Sequence, residues 1–197
     1  MFRKKRYRSM FHEKKKVVTP ELIREIMSWL FYTILAVFIA FVLVLAFGKR
    51  VKVIGDSMET ALYNGKNVLV DRIVYRLLAP SRGDVLVFLP NGNEKSHFYV
   101  KRVVALPGET VQIKDGLLYI NGEAVSNDDK EYDKMEEAGI AENEITLGNG
   151  EFFVLGDNRN SSEDSRSANI GVVKRDTIAG KAWFSYGKAD GASGFVN

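Results

Sequence analysis

Residues 26–47 run for 22 positions without a charged side chain and are mostly Leu, Ile, Val, Phe and Ala. As a helix at about 1.5 Å per residue this stretch rises roughly 33 Å, against a bilayer hydrocarbon core of about 30 Å. Thr19-Pro20 supplies the start, with Pro20 at the first helical position, and Trp29 and Tyr32 suit the interfacial belt. A cleavable leader fits less well. Its apolar region is typically about 7–15 residues and lies near the N-terminus, whereas this run is longer and follows 25 polar, basic residues.

The first 16 residues hold Arg3, Lys4, Lys5, Arg6, Arg8, Lys14, Lys15 and Lys16 against one acid, Glu13. The positive-inside rule makes 1–25 a cytoplasmic basic tail, 26–47 the transmembrane helix and 48–197 an extracytoplasmic domain, although Lys49, Arg50 and Lys52 follow the span. The expected location is the cell membrane, single-pass. Beside a span, the basic tail is a topology signal that also meets anionic lipid, so no nucleic-acid partner is expected. The net charge of +3 conceals an acidic segment, 123–144, with nine acids against Lys130 and Lys134; it is expected to be a solvated excursion from the core.

The chain has no cysteine and two histidines, His12 and His97, and His12 falls on the cytoplasmic side. Cysteine nucleophiles and thiolate zinc sites are excluded, and a histidine-based zinc site is not expected. A Ser-His-Asp triad would have to use His97 alone. No metal and no cofactor are expected, and the external domain must stand without disulfides.

Beyond the span, short β-rich runs occupy 52–54, 68–73, 84–89, 98–104, 110–113, 117–120, 152–155 and 177–186. Turn signals at Pro107-Gly108, Asp115-Gly116 and Asn121-Gly122 separate several of them. The one helical period after residue 50 lies around 132–141. The expected fold is mainly β, with antiparallel sheets forming one catalytic domain outside the membrane.

Two residues can carry chemistry together. A serine hydroxyl is a poor nucleophile until a base takes its proton. With histidine nearly absent, lysine is the substitute, and it becomes a base when apolar surroundings disfavour its ammonium form. Strand alternation puts Tyr99, Lys101 and Val103 on one face and Arg102 on the other. On pattern alone, Lys101 also fits a surface lysine on an edge strand, and Ser57 after Gly55-Asp56 also fits an ordinary turn serine. A third element is the polar loop 156–166 after the strand 152–155, dense enough in hydrogen-bonding groups to form a fixed network. It is not an EF-hand, because Arg159 and Ser161 stand where ligands belong.

Four blocks then stand in order behind the anchor. They are Gly55-Asp56-Ser57-Met58, 82–88 beginning Arg82-Gly83-Asp84, 99–109 around Lys101, and Gly156-Asp157-Asn158-Arg159 with Ser162 and Asp164-Ser165-Arg166. In these the chain resembles the prokaryotic type I signal peptidases. The resemblance implies a membrane-bound serine endopeptidase that removes signal peptides from exported preproteins. It implies Ser57 as nucleophile, Lys101 as general base, Ser162 as the serine that hydrogen-bonds and orients the base, and Asp164 and Arg166 as a loop-holding ion pair. It also implies an oxyanion hole built on the Ser57 N–H. Signal peptides end in small residues of the Ala-x-Ala type, and Val53, Met58, Tyr99 and Val100 are the candidates for lining shallow pockets. Preprotein signal peptides, the lipid bilayer and a nearby secretion translocon are the expected partners.

The chain departs from the family twice. Gly55 stands where some members carry a serine hydroxyl, and Glu59-Thr60-Ala61-Leu62 replaces the usual x-Pro-Thr-Leu. Two other readings share the topology, a membrane-anchored sensor or adhesin and an inactive scaffold in envelope assembly. Neither requires Lys101 and Ser162 together. Arg82-Gly83-Asp84 leads straight into a hydrophobic strand and is expected to be a structural turn.

Overall fold

The computed structural model describes residues 19–93, 95–125, 132–188 and 193–196. Most of the expected basic tail and the middle of the acidic segment lie outside the described residues. The chain divides into two compact units between Phe41 and Val42.

The first helix, α1 (Pro20–Phe47), begins where Thr19 Oγ1 accepts the Leu22 N–H at 3.3 Å. Its proline needs no N–H partner there. The helix thus starts at the cap and not at the first uncharged residue, and so includes the polar turn ahead of residue 26. Mean hydropathy is 2.4 within Pro20–Val44, a stretch long and apolar enough to cross a bilayer. Ser28 and Thr33 donate to the carbonyls of Glu25 and Trp29 at 2.8 Å, which pairs both hydroxyls within the helix itself.

The strands of the second unit are β1 (Lys49–Lys52), β2 (Asn67–Asp71), β3 (Val85–Phe88), β4 (Tyr99–Ala105), β5 (Thr110–Lys114) and β6 (Leu117–Ile120). They continue with β7 (Glu123–Ala124), β8 (Ile145–Thr146), β9 (Glu151–Leu155), β10 (Val173–Lys174), β11 (Ile178–Tyr186) and β12 (Gly194–Phe195). A single-turn helix, α2 (Val74–Leu77), follows β2. One sheet runs β1-β2-β11-β3-β4-β9-β10 with β12 beside β11, and a second runs β7-β6-β5-β8. Every pairing among them is antiparallel, giving the mainly β fold that the pattern predicts.

Alternation along β9 explains its uninterrupted apolar run. Phe152 and Val154 enter a cluster with Leu86, Phe88 and Val103, while Phe153 and Leu155 enter another with Val104, Val111 and Leu147. A strand buried on both faces has no use for polar alternation. A third cluster gathers Val53, Met58, Leu62, Val68, Val87 and Val100. The Asp115-Gly116 and Asn121-Gly122 turns have φ of 52°, 77°, 54° and 81°, the left-handed pairs that tight hairpins need.

Several boundaries differ from expectation for local reasons. β1 ends at Lys52 because Val53 and Ile54 lead the chain out toward Gly55, whose φ is 84°. β2 stops at Asp71, whose Oδ1 accepts the N–H groups of Ile73 and Val74 at 2.8 and 3.1 Å and starts α2. The two-residue strands β7, β8, β10 and β12 are too short for alternation to reveal. The helical period around 132–141 gives no helix, only a 3₁₀ turn over Gly139–Glu142. Its N–H groups go elsewhere, Met135 to the Gly116 carbonyl and Glu136 to Asn160 Oδ1. Gly139 has a φ of 56°, and a Cβ there would strike the Arg166 carbonyl. The acidic segment is also less detached than expected: its described acids beyond residue 131 are exposed, yet Met135 and Ala141 are core residues. At Arg82-Gly83-Asp84 the aspartate accepts from Ser81 N–H, Tyr75 hydroxyl and Lys181 Nζ, making this a structural turn.

Phe153→Ala should destabilise the domain by about 3–5 kcal/mol, since this side chain is 0% exposed in the core. Leu77→Ala, at 78% exposure, should cost under about 0.5 kcal/mol. Denaturant unfolding of the two detergent-solubilised variants, followed by tryptophan fluorescence, measures the difference.

Candidate active site

Ser57 stands on the loop between β1 and β2. Backbone bonds from Val53 N–H to the Lys66 carbonyl and from Gly65 N–H to the Val53 carbonyl, 2.8 and 3.0 Å, close the loop's base. Within it Glu59 N–H donates to the Asp56 carbonyl at 3.1 Å and Leu62 N–H to the Met58 carbonyl at 2.7 Å. Met58 and Leu62 are 1% and 0% exposed, so two apolar anchors just after Ser57 fix a turn that loop composition alone would leave free. The Ser57 carbonyl accepts from Asn158 N–H at 3.1 Å, which ties this turn to the polar loop 156–166. The Ser57 N–H has no acceptor among the described residues.

Lys101 sits in the middle of β4, between β3 and β9, so the edge-strand alternative is removed. It is opposite Leu86, and its own face carries Tyr99 and Val103, both packed in the cluster that holds Leu86. The lysine is 4% exposed, and its Nζ lies 2.6 Å from Ser57 Oγ. Desolvation is the main influence on this amine and lowers its pKa to about 8. The negative charges of Asp164, Glu163 and Asp157 partly offset that, while Arg166 adds to it.

The loop 156–166 is held by two buried, two-pronged ion pairs. Asp164 meets Arg166 at 2.9 Å through Nε and again through Nη2, and also accepts the Gly156 N–H at 3.0 Å. The Arg166 guanidinium reaches the carbonyls of Glu137 and Arg159 as well. Arg102 meets Asp157 at 2.7 Å through both Nε and Nη2, and donates to the Gly83 carbonyl at 2.8 Å. Ser165 exchanges hydrogen bonds with the backbone of Val154, closing the loop onto β9.

The structure brings Ser57 and Lys101 together, and Asp164 with Arg166. Ser162 is different. Its Oγ is buried without a hydrogen-bond partner, so the bond to Lys101 that the resemblance implies is not formed in this structure. The hydroxyl is nonetheless close by, because a Cβ on Gly156 would collide with both Ser162 Oγ and the Ser57 carbonyl. Only glycine permits that approach. Val53, Met58, Tyr99 and Val100 line one cleft of about 420 Å³ together with Ser57 and Lys101.

Sequence reasoning missed Arg102, Asp157, Tyr132, Arg159 and Glu163. Alternation does put Arg102 opposite Lys101, but its partner lies 55 residues away, and one sequence holds no signal for that pairing. Tyr132, in the acidic segment, stacks under the Arg159 guanidinium at 4.0 Å. Asn160 braces the same segment, donating to the Lys134 carbonyl at 2.9 Å and accepting from Glu136 N–H.

A serine hydroxyl against a buried amine, set in an antiparallel β scaffold, has the geometry of a serine hydrolase. The comparisons narrow this class. Residues 26–187 match the sequence model of the family described as Signal peptidase, peptidase S26. A Signal peptidase I from Bacillus licheniformis is 33% identical over 165 residues, covering 81% of this chain and 87% of that protein. Signal peptidase I T from Bacillus subtilis (strain 168) is 36% identical over 138 residues, 67% of this chain and 70% of the relative. Signal peptidase IB from Staphylococcus aureus (strain COL) is 30% identical over 181 residues, 83% and 90% of the two chains. A crystal structure of a signal peptidase I from Enterococcus faecalis V583 matches at 33% identity over 53% of this chain and 97% of that one, with a TM-score of 0.40. The chain belongs to the signal peptidase family, peptidase S26, and is a serine peptidase.

Lys101 should titrate near pH 8, well below the ordinary lysine value. Glu163→Gln removes a charge that favours the ammonium form, so the pKa should fall further in that variant. NMR titration of the lysine side-chain resonances, with Lys101→Arg for assignment, reads both.

Proposed function

We propose that Ser57 is the nucleophile and Lys101 the general base of a membrane-bound endopeptidase that cleaves signal peptides after small residues through an acyl-enzyme. The observation that carries this reading is the 2.6 Å contact between the Ser57 hydroxyl and an amine buried enough to bring its pKa to about 8. Neutral Lys101 accepts the Ser57 proton as Oγ attacks the scissile carbonyl, and then returns it to the leaving amine. The same amine next activates water to hydrolyse the acyl-enzyme. The unpartnered Ser57 N–H supports a backbone-led oxyanion hole, a kind of donor worth roughly 3–4 kcal/mol of barrier lowering. Ser162 Oγ, itself buried and without a partner near the Ser57 carbonyl, is the acceptor available to Lys101 once the amine is charged. The Asp164–Arg166 pair keeps that loop in place.

Substrate reading follows from the cleft. Val53, Met58 and Val100 line the cleft beside Ser57 with apolar side chains, in keeping with an Ala-x-Ala requirement. Ser57 follows Phe47 by ten residues, a reach of at most roughly 33–36 Å when extended. With α1 in the bilayer and the basic tail in the cytoplasm, the site stays near the outer membrane surface, where preproteins leave the translocon.

Ser57→Ala and Lys101→Ala should each lower preprotein cleavage by at least about 10³-fold while far-UV circular dichroism stays unchanged. Because the base must be neutral, kcat/KM should fall about tenfold per pH unit below pH about 8. A profile flat down to about pH 5 would remove Lys101 from that role. Protease added outside intact cells should degrade 48–197 and spare an N-terminal epitope tag; loss of the tag instead would reverse the orientation.

A further inference from the structure

We propose that Glu163 is a charge filter for the substrate, turning away chains that carry an acidic residue beside the scissile bond. The inference rests on the reading of Ser57 and Lys101 as the reacting pair.

Glu163 lies in sequence between Ser162 and Asp164, yet its side chain leaves the interior of the loop. Its Oε2 accepts a hydrogen bond from the Tyr99 hydroxyl at 3.1 Å, which links the loop to β4 two residues from Lys101. Glu163 and Tyr99 line the same cleft as Ser57 and Lys101. The carboxylate also differs from its loop neighbours in charge balance. Asp157 is matched by Arg102 and Asp164 by Arg166, whereas none of the ion pairs among the described residues includes Glu163.

Lys49 stands beyond the lining, its Nζ 4.1 Å from the centre of the Phe98 ring, so the balance is judged on the side chains that face the cleft. Asp56, next to Ser57, adds a second carboxylate to its lining. The basic residues on the lining are His97 and Lys101, and Lys101 is uncharged in the state that accepts the Ser57 proton. With Lys101 neutral, Asp56 and Glu163 leave the lining side chains with a net negative charge at the moment of attack, even if His97 is charged. Two like unit charges about 7 Å apart, screened at a level between water and protein, repel enough to lower kcat/KM roughly three- to tenfold. The filter acts on charge and not on size, so it is separate from selection by the apolar pockets.

The test uses the full-length enzyme in detergent at about pH 9, where Lys101 is mostly neutral. Matched peptides carry Asn or Asp at the next-to-last signal-peptide residue or at either of the first two mature residues, positions outside the small-residue pockets. The readout is the Asp-to-Asn ratio of kcat/KM, in which any general loss of activity cancels. For the native enzyme at least one position should give a ratio about three- to tenfold below unity. In Glu163→Gln that ratio should approach unity, and in Glu163→Lys it should exceed it. Tyr99→Phe removes the hydrogen bond but keeps the charge, and should retain the discrimination. Raising ionic strength from about 0.05 to about 0.5 M should weaken it, because Glu163 is exposed. Ratios unchanged by Glu163→Gln, or near unity at every position in the native enzyme, overturn the filter. Cleavage of the Asn peptides by Lys101→Ala at the native rate instead overturns the reading of the reacting pair, and the filter falls with it.

Discussion

A lysine amine taken out of water and held against a hydroxyl is the constraint on which the rest of the candidate site turns. An ammonium group in an apolar setting is costly, and burial brings the Lys101 pKa down to about 8, so a far larger share of the amine is neutral and has a lone pair to offer. Burial of that kind cannot be made by a loop. It needs a strand covered on both sides in the sheet and on its face, which β4 is, with β3 and β9 beside it and Leu86 and Val103 along the same face. The serine then has to be brought to the lysine. Met58 and Leu62, sunk into the core, fix the turn that does so.

The polar loop 156–166 contributes geometry more than stability. Buried ion pairs lose much of their attraction to desolvation, so two of them are a weak source of folding free energy. Their two-pronged form, however, permits one arrangement of the guanidinium and carboxylate planes. Arg102–Asp157 locks the start of the loop to β4, and Asp164–Arg166 locks its end to the carbonyls of Glu137 and Arg159. Gly156 lets the Ser57 carbonyl and Ser162 approach the same point of the backbone. The described part of the acidic segment beyond residue 131 leans on this loop through Tyr132 and Asn160. The described acids there face solvent, while the backbone of Lys134 and Glu136 bonds to Asn160, and Met135 and Ala141 join the core.

Much of this fold is legible in one dimension because its causes are local. A 22-residue uncharged run, a Thr-Pro start and two Asx-Gly turns each act through neighbours in the chain. The strands from β3 to β6 were placed to within a residue or two, since alternation or unbroken apolar runs mark them. The misses are equally physical. Asp71 ends its strand by capping a turn, Gly139 breaks a helical period with a positive φ, and strands of two residues have no period at all. In the candidate site, the lack of cysteine and usable histidine points to serine with lysine, and the four blocks of the resemblance single out Ser57 and Lys101. The partners Arg102 and Asp157 could not, because charge complementarity across 55 residues leaves no trace in a single sequence.

By itself the sequence determined the long apolar helix, the β class, the chemistry available and the family's four blocks, because composition, period and spacing are properties of neighbouring residues. Tertiary structure alone decided whether Lys101 would be dry, whether Ser57 would reach it, and whether Ser162 would find a partner. Those outcomes depend on the removal of water and on distances between segments 44 or more residues apart, and both come into being only when the sheet closes over its core.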